Sequence, residues 1–283
     1  MRYAIALAVL IGVAPQARAQ LAVTDTARSL RAGELVLLTI RTPEPVEAVQ
    51  VRAFGREWPA FSIDALAWGA LIGVDLDVAP GAHSVSIAAG GLRAEHALTV
   101  AAHRFPTRKL TVDPSFVTPP PDALPRIERE AREIAAIWES SSRAKLWDGP
   151  FLPPVPDPAN SAFGTRSVFN GQPRAPHGGA DFLSGAGTPV KAPGGGRIVL
   201  AGSLYYTGGT VVIDHGLGLF SLMAHLSAID VQTGDLVKAG DAIGKVGATG
   251  RVTGPHLHWS VRANGARVDP LSLLFVTGSH RVH

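Results

Sequence analysis

The chain has 283 residues, 46% of them hydrophobic, and a formal net charge of +3 from 26 Lys+Arg against 23 Asp+Glu. It can supply two modest cores and lacks the clustered basic footprint of a nucleic-acid binder. It has no cysteine, which excludes disulfide staples and leaves His, Asp and Glu as the side chains for any zinc site.

The first predicted element is an export signal over residues 1–19. Arg2 gives a positive start, Tyr3 to Val13 is almost wholly apolar, and Ala17-Arg18-Ala19 offers a small-x-small cleavage site before Gln20. The apolar run falls short of the roughly 20 residues that span a bilayer. We expect an exported chain, destined for the periplasm, with no integral membrane segment after cleavage.

Residues 20–112 read as an Ig-like β-sandwich. Short apolar or alternating runs, such as Leu35-Val-Leu-Leu-Thr-Ile40, Val49-Gln-Val-Arg-Ala53 and His83-Ser-Val-Ser-Ile87, are punctuated at Gly33, Pro43, Pro80-Gly81 and Gly90-Gly91. His83 and His96 fall in strand-like runs and read as structural or solvent-facing. Residues 113–158 read as a proline-rich linker with one helix. Five prolines stand between Pro114 and Pro125, and a helical pattern follows over Leu124 to Trp147, with Ile127, Ala131, Ile134, Ala135 and Trp138 on one face and Asp122 as the expected N-cap. Residues 159–276 form a second β domain with no convincing helix among its strands, and 277–283 a tail.

This second domain holds three histidine-containing segments: His177-Gly-Gly-Ala-Asp181, Met223-Ala-His225-Leu226, and Gly254-Pro-His256-Leu-His258-Trp259. Catalytic zinc takes three protein ligands from His and carboxylate, with a fourth position for water. Glycines between His177 and Asp181 can turn the chain so that both face one point, and strand alternation puts His256 and His258 on one face about 7 Å apart. Taken alone, His-x-x-x-Asp fits a surface turn equally well. The three segments together, within about eighty residues of glycine-rich β sequence, do not.

From about Ser161 to Leu274 the chain resembles the lysostaphin and LytM-type zinc metallopeptidases, which cut peptide cross-links in bacterial peptidoglycan. The likeness runs through Ser161-Ala-Phe-Gly-Thr-Arg166, Gly187-Thr-Pro-Val-Lys-Ala192, Val212-Ile-Asp-His215-Gly216, Gly240-Asp-Ala-Ile-Gly244, Gly247-Ala-Thr-Gly250, Thr253-Gly-Pro-His-Leu-His-Trp259 and Val268-Asp-Pro270. It implies an antiparallel β metallopeptidase with a substrate groove and one zinc ion held by His177, Asp181 and His258. His225 and His256 would be unligated catalytic histidines; we expect His256 as general base towards a metal-bound water and His225 as donor to the developing oxyanion, with the reverse division as the alternative. A peptidoglycan peptide is the implied substrate. Arg166 and Asn170 could line the groove, and His215 reads as a structural hydrogen-bonding residue. Relatives commonly have an aromatic residue where Met223 stands, and Gly-Asn where Gly208-Gly209 stands, which implies an altered groove floor. Because some relatives on this fold serve as non-catalytic activators of other wall hydrolases, that role is the alternative.

Overall fold

The computed structural model describes residues 20–111, 118–160 and 163–278. The expected export signal lies outside the described residues, as do 112–117 of the proline-rich stretch, Ser161, Ala162, and 279–283 of the tail.

The first hundred residues form β1 (Ala22–Thr26), β2 (Leu35–Arg41), β3 (Val49–Ala53), β4 (Arg56–Trp58), β5 (Ala60–Asp64), β6 (Ala67–Gly73), β7 (Gly81–Ala89) and β8 (Leu92–Val100). They make two antiparallel four-stranded sheets, in the orders β1-β2-β6-β5 and β4-β3-β7-β8. Alternation in β3 sends Val49, Val51 and Ala53 inward, as expected of a sheet with one solvated face. β2 is apolar almost throughout, and Leu35 to Leu38 are all buried. The inward side chains of both sheets join one apolar cluster with Trp58, whose indole N–H donates to Ala53 O at 3.0 Å. His83 donates to Ala79 O (2.7 Å), and His96 pairs with Asp25 (2.7 Å).

β9 (Thr107–Leu110) leaves these sheets, and a single 3-10 turn (Pro121–Ala123) leads into α1 (Leu124–Glu139). Asp122 lies in that turn rather than at the N-cap, which is Ala123 and has no side-chain cap. The helix ends eight residues before the expected Trp147. Ser141 Oγ and the Ser142 N–H instead donate to the two carboxylate oxygens of Asp214, at 2.8 and 2.7 Å. Serine competes for backbone partners and favours such breaks.

The remaining strands are β10 (Ala159–Asn160), β11 (Arg166–Phe169), β12 (Gln172–Pro173), β13 (Gly179–Phe182), β14 (Pro189–Lys191), β15 (Gly196–Leu204), β16 (Gly208–Gly216), β17 (Leu219–Ile229), β18 (Leu236–Val237), β19 (Ala242–Val246), β20 (Leu257–Ala263) and β21 (Ala266–Val268). Seven of them run in the order β10-β13-β20-β17-β16-β15-β18, with β14, β19 and β21 attached. β9 adds to β11 in parallel, giving a small sheet β12-β11-β9 just before His177. The expectation of no helix fails at α2 (Pro270–Gly278). Its run Leu271-Ser-Leu-Leu-Phe-Val276 is too short for periodicity to separate helix from buried strand. The start signal was present in Asp269-Pro270: Asp269 Oδ1 accepts from Leu271 N at 3.0 Å, and proline stands at the first helical position.

The large sheet has two distinct faces. Ala180, Phe182, Val211, Ile213, Met223, Trp259 and Val261 enter the main core. The opposite face carries Asp181 and His258, paired across β13 and β20, and Ala224 opposite His258 on β17. Alternation continues that face through Leu222 and Phe220 to Val212 and Leu200, where Ile134, Ile137 and Trp138 of α1 cover it. α1 therefore lies on the same face as Asp181 and His258. Trp138 meets Phe220 edge-on at 5.3 Å and lies under Arg262.

The two halves are joined along β20, β21 and α2. Arg28 bridges the buried carboxylates of Glu34 and Asp269 (both 2.7 Å), and Arg267 binds Asp75 (2.5 Å) and Asp77 (2.7 Å). Arg56 donates to Asn264 O and Asn264 Nδ2 to Glu57 O. A Cβ on Gly73 would come within 2.8 Å of Ala266 Cβ, so the two halves close at a point that leaves no room for a side chain.

His215 is fully buried, donating through Nδ1 to Gly195 O (2.7 Å) and accepting at Nε2 from Ser221 Oγ (2.9 Å). Burial lowers its pKa from 6.5 to about 4. The unfolded chain therefore takes up this proton more readily than the fold does, so the stabilisation is complete above about pH 6.5 and is lost as the pH falls towards 4. The shift corresponds to about 3 kcal/mol. Urea titrations of chelator-treated protein at pH 7 and pH 4.5 should reveal this loss in the wild type, and a smaller one in His215→Asn.

Candidate metal centre

The glycines ahead of Asp181 work as the sequence suggests. Gly179 lies where a Cβ would come within 2.4 Å of Trp259 O and 2.7 Å of the His258 ring, so only glycine lets β13 close on β20. That contact brings Asp181 opposite His258. His177 is held by its N–H to Thr165 O at 2.9 Å. Its Nε2 lies 3.0 Å from His258 Nδ1 and 3.1 Å from Asp181 Oδ1, and the latter two atoms are 2.9 Å apart. Adjacent corners of a tetrahedron with metal bonds of about 2.0–2.1 Å are about 3.3 Å apart. Two imidazole nitrogens and a carboxylate oxygen at this spacing fit zinc, and among the described residues this trio is the group found suited to hold a metal.

His225 reaches the same space by breaking a rule. Met223 points into the core and Ala224 to the opposite face, so strict alternation would return His225 to the core. A β-bulge sets Thr210 against both Ala224 and His225, and His225 adopts a left-handed backbone with φ 68°. Its ring then stands 4.8 Å from His256 and 6.0 Å from His258, centroid to centroid. Non-glycine residues hold such a conformation only where their surroundings over-determine it. Here the His225 N–H donates to Thr207 O (2.8 Å) and Nδ1 to Thr249 O (3.0 Å). His256 is fixed likewise, with Nδ1 donating to Gly254 O (3.0 Å) and Nε2 lying 3.9 Å from Asp181 Oδ1.

Burial opposes ionisation of Asp181, but hydrogen bonds from His177 and His258, then their charges, outweigh it and hold the carboxyl well below the usual range. Burial lowers the pKa of His258 despite its bond to Asp181. Burial also takes His225 from 6.5 to about 4, against the Thr249 bond and with help from the neighbouring imidazoles. His225 is therefore neutral near pH 7. Because a carbonyl can only accept, its proton is on Nδ1, and Nε2 carries a lone pair.

The structure thus brings together His177, Asp181, His258, His225 and His256. It does not bring Arg166 or Asn170 into that cluster: Arg166 is exposed on β11, and Asn170 (φ 49°) occupies the turn before β12. Met223 was expected on the groove floor. It is instead fully buried on the core side, opposite Trp259, because its position in β17 faces away from the donors. Gly208 (φ 60°) and Gly209 are required by contact, since a Cβ on either would meet the Thr249 or Leu226 backbone at 2.3 Å. Thr249 is the contributor that sequence reading missed. Its motif is legible, but its role is exerted through a backbone carbonyl.

Comparison with known proteins follows this geometry. The profile described as peptidase family M23 matches residues 175–270. DD-carboxypeptidase/endopeptidase Mpg of Neisseria meningitidis is 45% identical over 101 residues, 36% of this chain and 23% of the relative. Peptidoglycan DD-endopeptidase ShyA of Vibrio cholerae is 44% identical over 97 residues, 34% of this chain and 23% of the relative. The match thus spans under a quarter of the length of these curated relatives. A crystal structure from Pseudomonas aeruginosa assigned to peptidase M23 is 33% identical, with a TM-score of 0.69 over 87% of this chain and 96% of that one.

Proposed function

This chain belongs to peptidase family M23, and from that membership we propose that it is a zinc-dependent endopeptidase that hydrolyses peptide cross-links in bacterial peptidoglycan. The observation that carries the reading is the triangle of His177 Nε2, Asp181 Oδ1 and His258 Nδ1, with sides of 2.9–3.1 Å, beside two further imidazoles. The names of Mpg and ShyA, as peptidoglycan or DD-bond enzymes, support the choice of substrate. Such a substrate implies action outside the cytoplasm, in keeping with an exported chain. We take residues 159–276, continued to the end of α2, as the unit that carries this chemistry, with Arg166 and Asn170 as lining residues of its groove.

Zinc, when bound, supplies a Lewis acid that lowers the pKa of a water towards about 7 and polarises the scissile carbonyl. His177, Asp181 and His258 would hold it, and a set of two neutral imidazoles with one carboxylate would leave part of the cation's charge uncompensated. His225, neutral with its proton given to Thr249 O, has Nε2 free to take a proton from the attacking water. His256, the second unligated imidazole, has its Nε2 3.9 Å from Asp181 Oδ1 and is assigned to the oxyanion side. This reverses the division of labour expected from the sequence.

Incubating zinc-loaded protein with purified peptidoglycan should convert cross-linked fragments to monomers, read by mass spectrometry, and a chelator should stop the reaction until zinc is restored. Intact cross-links after incubation with the metal-loaded protein would overturn the assignment.

A further inference from the structure

We propose that Glu130, on α1 and outside the stretch matched by the family profile, is a positioning residue for His225. The inference rests on the reading of His225 as a catalytic imidazole.

Several hydrogen bonds lead outward from the backbone of His225. The His225 N–H donates to Thr207 O, and Thr207 belongs to the turn joining β15 to β16. Tyr206 O in the same turn accepts from Arg251 N at 2.9 Å. Gly209 N donates to Thr249 Oγ1 (2.8 Å), which in turn donates to Leu226 O (2.8 Å). The β15–β16 turn, the 249–251 loop and the bulge at His225 thus form one hydrogen-bonded block, and it is this block that imposes the left-handed backbone of His225.

Glu130 holds the block from outside. Its Oε2 accepts from Tyr205 N at 2.7 Å, and its Oε1 accepts from Arg126 Nε at 2.5 Å. Arg126 then donates to Ser203 O at 3.1 Å. Tyr205 lies at the hairpin tip, beyond the last cross-strand pair Leu204 and Gly208, so the carboxylate supplies the partner that its N–H lacks within the sheet. The bond is charge-assisted, and its support is rigid, because Ile134, Ile137 and Trp138 of the same helix pack on Leu200, Val212 and Phe220. An ordinary surface helix pair would link Arg126 to Glu130 and stop there. This pair instead holds Ser203 and Tyr205, where β15 enters a turn whose Thr207 accepts from His225 N–H.

The test compares Glu130→Ala with Glu130→Gln in the full-length, zinc-loaded protein. Misplacing a catalytic group by a fraction of an ångström is enough to lower turnover by roughly tenfold. Glu130→Ala should show that loss in kcat with KM within about twofold and zinc still stoichiometric, whereas Glu130→Gln, which keeps an acceptor for Tyr205 N–H, should recover most of it. Amide exchange at Tyr205 and His225 should quicken in the Ala variant alone. If Glu130→Ala melts below the assay temperature, Arg126→Gln must show the same kcat-selective loss on a smaller scale. Wild-type kcat and exchange in Glu130→Ala, equal losses in Ala and Gln variants, or a change confined to KM would each overturn the proposal. A wild-type protein that leaves peptidoglycan intact would instead overturn the enzymatic reading, while amide exchange would still judge the grip.

Discussion

Asp181→Ala is expected to yield a folded protein that retains little zinc and no measurable hydrolysis. Asp181 is the anionic member of the trio and bonds both imidazoles, so its loss removes a ligand and the group that orients the other two. Disturbing groups that merely support a ligand already lowers metal affinity or activity roughly 10–100-fold, and loss of the ligand should exceed that. His258→Ala should behave alike, since His258 Nδ1 meets both other donors. Elemental analysis after dialysis, alongside a melting curve, checks the result. A stoichiometric zinc content in either variant would sink the assignment of the metal site.

His225→Ala should separate binding from chemistry. The His225 ring is fixed by Thr249 and makes no hydrogen bond to the three donors, so zinc should stay bound while turnover falls roughly 10²-fold or more. Its depressed pKa gives the sign of the pH dependence. The proton-accepting form persists until the pH falls towards about 4, and a cation held by the trio would push that limit lower still. The part of the rate that the substitution removes should therefore be present at mildly acidic pH. Full activity of the variant on purified peptidoglycan would remove His225 from the mechanism.

Much of this arrangement was legible in the residues, for identifiable reasons. Strands such as β2 and β3 announce themselves by apolar runs and alternation, and Gly-Gly before Asp181 signals a close approach that the 2.4 Å contact of a Cβ on Gly179 explains. The trio of donors was named through the resemblance to the zinc metallopeptidases, since residue types and spacing alone left a surface turn open at His177 and Asp181. What escaped was set by tertiary contact. The end of α1 depends on Asp214, more than seventy residues away. The aim of His225 depends on a left-handed residue in a strand, which no local propensity favours for histidine. Met223 was expected at the groove floor because relatives commonly have an aromatic residue at that place, but the bulge separates its direction from that of His225. α2 had a start signal but too few turns to display a period.

Arg28 and Arg267 clamp the first two sheets to the stretch 267–269, and Asn264 pins the same seam at the hairpin before it. With anchors at both ends of so short a span, any swivel of the front sheets against the histidine-bearing sheet has to break two arginine clamps and two backbone-capping bonds together, so hinge motion here is costlier than a flexible linker would make it.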